Sequence, residues 1–218
     1  GFVHKTIELP DGKLLVSGSF STFNGINRPN IVRLFSDGMV DTAFHSENGI
    51  TYNNVNDRIV SLTVQPDNKI LVGGAFHLAS STGSAYQSMA RLEPDGSEDI
   101  TFASSEVSSE VYTCSLQSDG KLIVGGEFTS VSGVQKNYIA RLNQNGFLDS
   151  TFNLGLGANG VVYGSALQPD GKIILVGSFD RVNGHRRNGI VRLETNGLVD
   201  TDFSPVNMPG NLKIVLLQ

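Results

Sequence analysis

Four times in 218 residues the chain returns to the same ordered set of short motifs, and this periodicity restricts its fold more than any other property. Pro10-Asp11-Gly12-Lys13 recurs as Pro66-Asp67-Asn68-Lys69, Ser118-Asp119-Gly120-Lys121 and Pro169-Asp170-Gly171-Lys172, with the aspartates 56, 52 and 51 residues apart. KLLVSGSF, KILVGGAF, KLIVGGEF and KIILVGSF begin at the four lysines; IVRL, MARL, IARL and IVRL then end at Leu34, Leu92, Leu142 and Leu193. Each copy closes on a phenylalanine, Phe44, Phe102, Phe152 or Phe203, 11 residues after its arginine. A period of this length marks a chain built from one stacked supersecondary unit.

The unit reads as strands. Pro-Asp-Gly presets the first turn position, lets the aspartate bond its own turn and supplies a residue that tolerates left-handed geometry, which Asn68 also does. A strand precedes each turn (Ile59 to Gln65, Val111 to Gln117, Val162 to Gln168) and the Lys-to-Phe strand follows it. That second strand has no polar face, so it is buried on both sides. Gly18, Gly74, Gly126 and Gly177 within it allow a bulge or the close approach of another backbone. Asp37-Gly38, Asp95-Gly96, Asn145-Gly146 and Asn196-Gly197 make a second hairpin after the Arg-Leu strand.

Four short antiparallel strands per unit, apolar on both faces, require sheet to stack on sheet, which is the arrangement of an all-β propeller with four-stranded blades. A β-solenoid is the alternative; its rungs repeat at shorter periods and lack paired hairpin turns. The division is blade 1 at 1–56, blade 2 at 57–108, blade 3 at 109–159 and blade 4 at 160–210, with 211–218 as the first strand of a fifth repeat. Gln218 falls where Gln65, Gln117 and Gln168 end their strands, so the expectation is a piece of a longer propeller or one that another chain completes.

Composition excludes several classes. The net charge of −5 gives no basic surface for nucleic acid, and no apolar run is long enough for a membrane helix. Charged residues make up 17%, below the roughly 25% of average domains, as suits strands stacked against neighbours. The single cysteine, Cys114, allows no internal disulfide and reads as a small strand hydrophobe.

Gln168 to Lys172, Leu71 to Phe76, Asn183-Gly184, Ile139 to Leu142, Asn145 to Asp149 and Thr151-Phe152 together resemble the delta-60 repeat family, bacterial propeller-like repeats of unknown function. The resemblance covers essentially the whole chain. It implies a module of large secreted or surface proteins, or of phage structural proteins, and carries over no catalytic residue. The departures lie in loops: two extra residues between Phe76 and Arg91, an Asn-rich insertion through Asn53, Asn54, Asn56 and Asp57, and Leu9 where the other copies have Gln. Without tryptophan the chain is neither a tryptophan-aspartate repeat nor a sialidase with aspartate boxes.

The repeated Arg33, Arg91, Arg141 and Arg192 could ring a ligand. An aspartate follows each by eight residues, however: Asp41, Asp99, Asp149 and Asp200. The intervening hairpin sets each pair across from one another, so a structural ion pair in every blade is the preferred reading. Arg28, Lys136 and Arg187 each lie eight residues after the strand phenylalanine; with His185 and Arg186 they are expected to share a rim, the best candidate for meeting an anionic partner such as an acidic glycan or another protein, although solvated loop charge is the commoner reading of such residues. Gly155-Leu156-Gly157-Ala158-Asn159-Gly160 matches GxGxxG, but no helix follows, so it reads as an interblade loop. The Asn53 to Asp57 insertion lacks the alternating carboxylates of a calcium loop and reads as a polar turn. His4, His45, His77 and His185 hold non-equivalent positions without metal or triad spacing.

The functional expectation is a non-enzymatic scaffold or interaction module without cofactor, at the bacterial surface, outside the cell or in a virion. It would bind a protein or surface partner through loops on one face, with neither nucleic acid nor a membrane span involved. The alternative is a propeller that binds or cleaves glycans. Lectin sites favour aromatic platforms, and Tyr52, Tyr86, Tyr112, Tyr138 and Tyr163 do not all recur at one loop position.

Overall fold

A computed structural model describes residues 1–46, 50–51, 55–80, 83–103, 106–205, 212–213 and 215. The chain forms two compact units, 1–104 and 105–218, each carrying two of the four repeats. All regular structure among the described residues is β.

The Pro-Asp-Gly turns organise each blade. In every copy the lysine N–H donates to the turn aspartate Oδ1 at 3.1 Å. The residue before the turn is bonded to the lysine carbonyl at 2.7 to 2.8 Å. Asn68 takes the left-handed position at φ 66°, as the sequence predicts. The turn joins the first and second strands: Phe2–Glu8 with Leu14–Ser19, Arg58–Val64 with Ile70–Ser80, Val111–Leu116 with Leu122–Gly126, and Val162–Leu167 with Ile173–Gly177. All four pairs are antiparallel and all four slip register once, opposite the recurrent glycine. A Cβ on Gly18, Gly74, Gly126 or Gly177 would collide with the carbonyl of Phe2, Arg58, Glu110 or Val161, respectively. The bulge is therefore on the first strand, and glycine on the second lets the bulged backbone come close.

The Arg-Leu strands, Ile31–Leu34, Ile139–Leu142 and Ile190–Leu193, pair with the other edge of the second strand. The expected fourth strand shrinks to one bridge per blade: Leu34 to Val40, Leu92 to Glu98, Leu142 to Leu148, and Leu193 to Val199. Aspartate and phenylalanine follow so soon that the backbone turns away to seat them. Between second and third strands, blades 1, 3 and 4 carry two-residue hairpins: Thr22–Phe23 with Ile26–Asn27, Ser130–Val131 with Val134–Gln135, and Arg181–Val182 with His185–Arg186. In blade 2 the two extra residues let the main strands run on as Ile70–Ser80 and Gly83–Leu92.

Within each unit the core lies between its two blades. Leu15, Ile31 and Phe44 of blade 1 pack with Ile59, Ile70, Val72 and Leu92 of blade 2. Ile123, Ile139 and Phe152 of blade 3 pack with Val162, Leu175, Val191 and Leu193 of blade 4. Each fully buried side chain of this size contributes about 1.5–3 kcal/mol. The proposed fifth-repeat strand, 211–218, falls mostly outside the described residues; the described Lys213 and Val215 backbone lies beside Gly164 of blade 4.

Candidate functional site

The repeated charges converge inside each blade. Arg33, Arg91, Arg141 and Arg192 bring Nε to 2.7 or 2.8 Å from Oδ2 of Asp41, Asp99, Asp149 and Asp200. The turn lysines Lys13, Lys69, Lys121 and Lys172 reach the same oxygens at 2.7 to 3.0 Å. The other carboxylate oxygen accepts the backbone N–H two residues on. Lys69 and Lys172 also meet a second acid, Glu93 and Glu194, where repeats 1 and 3 have Phe35 and Asn143. Clusters 2 and 4 are thus charge-balanced, in cluster 1 Lys13 lies 3.8 Å from the exposed Asp11 as its second acid, and cluster 3 holds two cations on one carboxylate.

Burial alone would raise the Asp149 carboxyl, but hydrogen bonds from Thr151, Lys121 and Arg141 outweigh it and hold the group well below the usual carboxylate range. Asp99 and Asp41 are lowered against the same burial effect by their own lysine, arginine and backbone donors. In Asp200 the Lys172 hydrogen bond is the leading cause of the lowering.

The guanidinium of each repeat also lies over the closing phenylalanine, 4.6 to 5.0 Å from the ring centroid, a contact worth about 0.5–2 kcal/mol. In unit 1 the arrangement continues into the next blade. Arg33 Nη1 donates to the Pro94 carbonyl at 2.6 Å, His45 N–H to Asp95 O at 2.6 Å, and the Phe44 ring lies against Gly96. Unit 2 repeats it with Arg141 Nη1 to Thr195 O at 2.7 Å, Asn153 N–H to Asn196 O at 2.8 Å, and Phe152 against Gly197. Arginine, aspartate, lysine and phenylalanine form one cluster in every blade, and within each unit the cluster of the first blade latches that blade to the second.

The residues expected on a shared rim separate. Arg28 is only 5% exposed, with Nη1 turned back onto the Asn27 carbonyl, so it presents no charge to a partner. Arg187 makes the same turn onto Arg186 O and is half-buried. His185 and Arg186 are exposed at the hairpin end of unit 2, Lys136 is half-exposed, and the neighbouring Arg181 is exposed as well. The GxGxxG loop is strapped to this end: Ala158 N–H donates to Asn137 O, Asn183 N–H to Gly157 O, and Asn159 Oδ1 accepts from the backbone of Asp180 and Arg181. It is an interblade loop with no helix to receive a pyrophosphate.

Asn53 and Asn54 of the insertion lie outside the described residues. Asp57 is buried and lies 3.0 Å from His77 Nδ1, a pairing that sequence spacing did not suggest. Among the described residues no group of three or more His, Cys, Asp and Glu side chains is placed to hold a metal ion. Cys114 is half-buried.

At the opposite end of unit 2, between the turns Ser118-Asp119-Gly120 of blade 3 and Pro169-Asp170-Gly171 of blade 4, a cleft of about 810 Å³ opens over Arg141. Its counterpart between blades 1 and 2 is about 470 Å³.

The model of a family described as a domain of unknown function (DUF5122) β-propeller matches residues 9–44, 65–102, 117–152 and 168–203, one match per repeat. It carries that description and not the delta-60 label. No curated protein sequence matches the chain. Among solved structures, the extracellular domain of BT4673 from B. thetaiotaomicron is 16% identical at a TM-score of 0.50, over 97% of this chain and 23% of that one. A gluconolactonase from Xanthomonas campestris is 15% identical at 0.56, over 91% of this chain and 60% of that one. Virginiamycin B lyase from Staphylococcus aureus is 13% identical at 0.43, over 91% and 68%. This chain therefore spans less than two thirds of the first two structures. The gluconolactonase shares the fold and is an enzyme, which overturns the expectation of a non-enzyme: that expectation rested on the architecture and on the repeated acids being structural, and the architecture is one on which an enzyme is built.

Proposed function

The chain belongs to the β-propeller repeat family of unknown function whose model matches all four of its repeats, and on that premise we propose that it is a partner-binding propeller module of a larger secreted or cell-surface bacterial protein. The hairpin end of unit 2 meets an anionic surface. The observation that carries this reading is a division of charge. The repeated arginines and lysines of the latches are bonded inside them, whereas His185 and Arg186, which recur in no other repeat, are exposed at the hairpin end that also carries the half-exposed Lys136. The likeness in fold to an extracellular domain supports the location.

Rim charges of this kind act chiefly on association rate and are screened by salt. The test is retention on a sulfated-polysaccharide matrix across a salt gradient. Because the whole chain carries −5, net charge cannot cause retention. The native protein is expected to be held at low salt and released as salt rises, and a Lys136→Ala, His185→Ala, Arg186→Ala variant to pass unretained with an unchanged thermal midpoint. Equal retention of the two proteins, or none by the native one, overturns the reading.

A further inference from the structure

The geometry points to a second site at the other end of unit 2: we propose that the cleft between the turns of blades 3 and 4 binds a neutral saccharide. Its volume of about 810 Å³ falls within the roughly 300–1,000 Å³ of ligand sites. The cations on its floor are already engaged. Arg141 donates to Asp149, Thr195 and Thr151, and Lys121 to Asp149; the one cation left in excess on the floor is outweighed at the rim by two carboxylates, which disfavours a phosphate or a carboxylate. The rim instead carries the exposed Asp119 and Asp170, each spending one carboxylate oxygen on its own turn.

The walls hold the amides of Gln117 and Gln168, and each amide oxygen is buried without a hydrogen-bond partner, as is that of Gln65 in blade 2; of the two clefts, only that of unit 2 is lined by two such amides. A buried acceptor left unsatisfied is disfavoured, and the fold does not require an amide at this position, since repeat 1 has Leu9 there. The corresponding cleft of unit 1 shows the contrast. It is smaller and is lined by Leu9 and Pro94 where unit 2 has Gln117 and Thr195, and Gln65 is not among its lining residues.

A ligand for the larger cleft must offer donors to amide and carboxylate oxygens, take donors from amide nitrogens and threonine, and lay an apolar face on Leu116, Leu167 and Pro169. Hydroxyls on a sugar ring meet all three demands. The rim carboxylates repel uronic acids, which selects neutral sugars, and the absence of an aromatic platform in the lining keeps affinity in the millimolar range.

The experiment is a titration of the whole ¹⁵N-labelled chain with maltose, cellobiose and lactose, and with glucuronate as the excluded ligand, read by amide chemical shifts. At least one neutral disaccharide is expected to shift residues 116–119 and 167–171 saturably, and glucuronate not to. Gln117→Leu, which copies repeat 1 and so preserves the fold, combined with Gln168→Leu is expected to weaken binding about tenfold or more with an unchanged thermal midpoint. No shift with any of the three, equal binding by the variant, or equal binding of glucuronate overturns the proposal.

Discussion

Removing Asp149 tests the latch where its charge balance is poorest. Asp149→Ala deletes the acceptor of Arg141 Nε at 2.7 Å and Lys121 Nζ at 2.9 Å, and frees the Thr151 N–H and hydroxyl. Breaking a buried pair and leaving a charge behind costs about 3–5 kcal/mol. Lys121 is 29% exposed and can turn to water, but Arg141 at 8% cannot, which sets the expected loss near the middle of that range, about 4 kcal/mol. The same change at Asp99 leaves Lys69 bonded to Glu93 at 2.8 Å, so its loss should lie nearer about 3 kcal/mol. Against a total stability of roughly 5–15 kcal/mol either is large. Urea unfolding followed by circular dichroism reads both, with the slope checked for constancy. Equal losses, or less than about 1 kcal/mol for Asp149→Ala, would refute the reasoning, because the latter is the size of an exposed pair.

Acid should act through the same groups. The folded Asp149, Asp99 and Asp41 carboxyls titrate below the roughly 3.9 of an unfolded aspartate. Below about pH 4 the unfolded chain therefore binds protons first and stability falls, while above it their contribution is complete; urea midpoints from about pH 2 to 6 should show this, with a shallower slope in Asp149→Asn. Gly197→Ala should cost about 2–4 kcal/mol, since its Cβ would lie 2.8 Å from the Phe152 ring at φ 94°. Gly184→Ala, at φ 80° with nothing within 4 Å, should cost only about 1 kcal/mol, and comparable midpoints for the two would contradict the packing of phenylalanine under the turn.

The repeat made the blades legible because hairpin turns and doubly apolar strands are local properties: the first strands at 111–116 and 162–167 stop within one residue of their expected ends. The fourth strand is shorter than the sequence suggests, because an Asn-Gly turn announces a hairpin without saying how far it pairs. In the sequence Lys121 belongs to a turn, and its recurrence in all four repeats, 28 residues before the aspartate in three of them, is the sign of a three-membered cluster. The stacking of Arg141 on Phe152 had the same sign in the constant spacing of 11 residues. Repeat register carried the sign that separates Arg28 from Arg186: Arg28 and Arg187 share one position and both fold back on the preceding carbonyl, whereas Arg186 lies one residue earlier and is in solvent. The cleft between blades 3 and 4 had no such sign: its walls are residues some 50 positions apart that only stacking brings together.

The central claim is that the repeated arginine, aspartate, lysine and phenylalanine hold the two blades of each unit together, while the unrepeated His185 and Arg186 face a partner. Arg141→Ala and Arg186→Ala place the same substitution on the two classes within one unit, and urea unfolding compares them directly. The account predicts a loss of about 3 kcal/mol for Arg141→Ala, since Lys121 still neutralises Asp149, and a change within about 0.5 kcal/mol for Arg186→Ala. Equal losses, or the larger loss at Arg186, would contradict it.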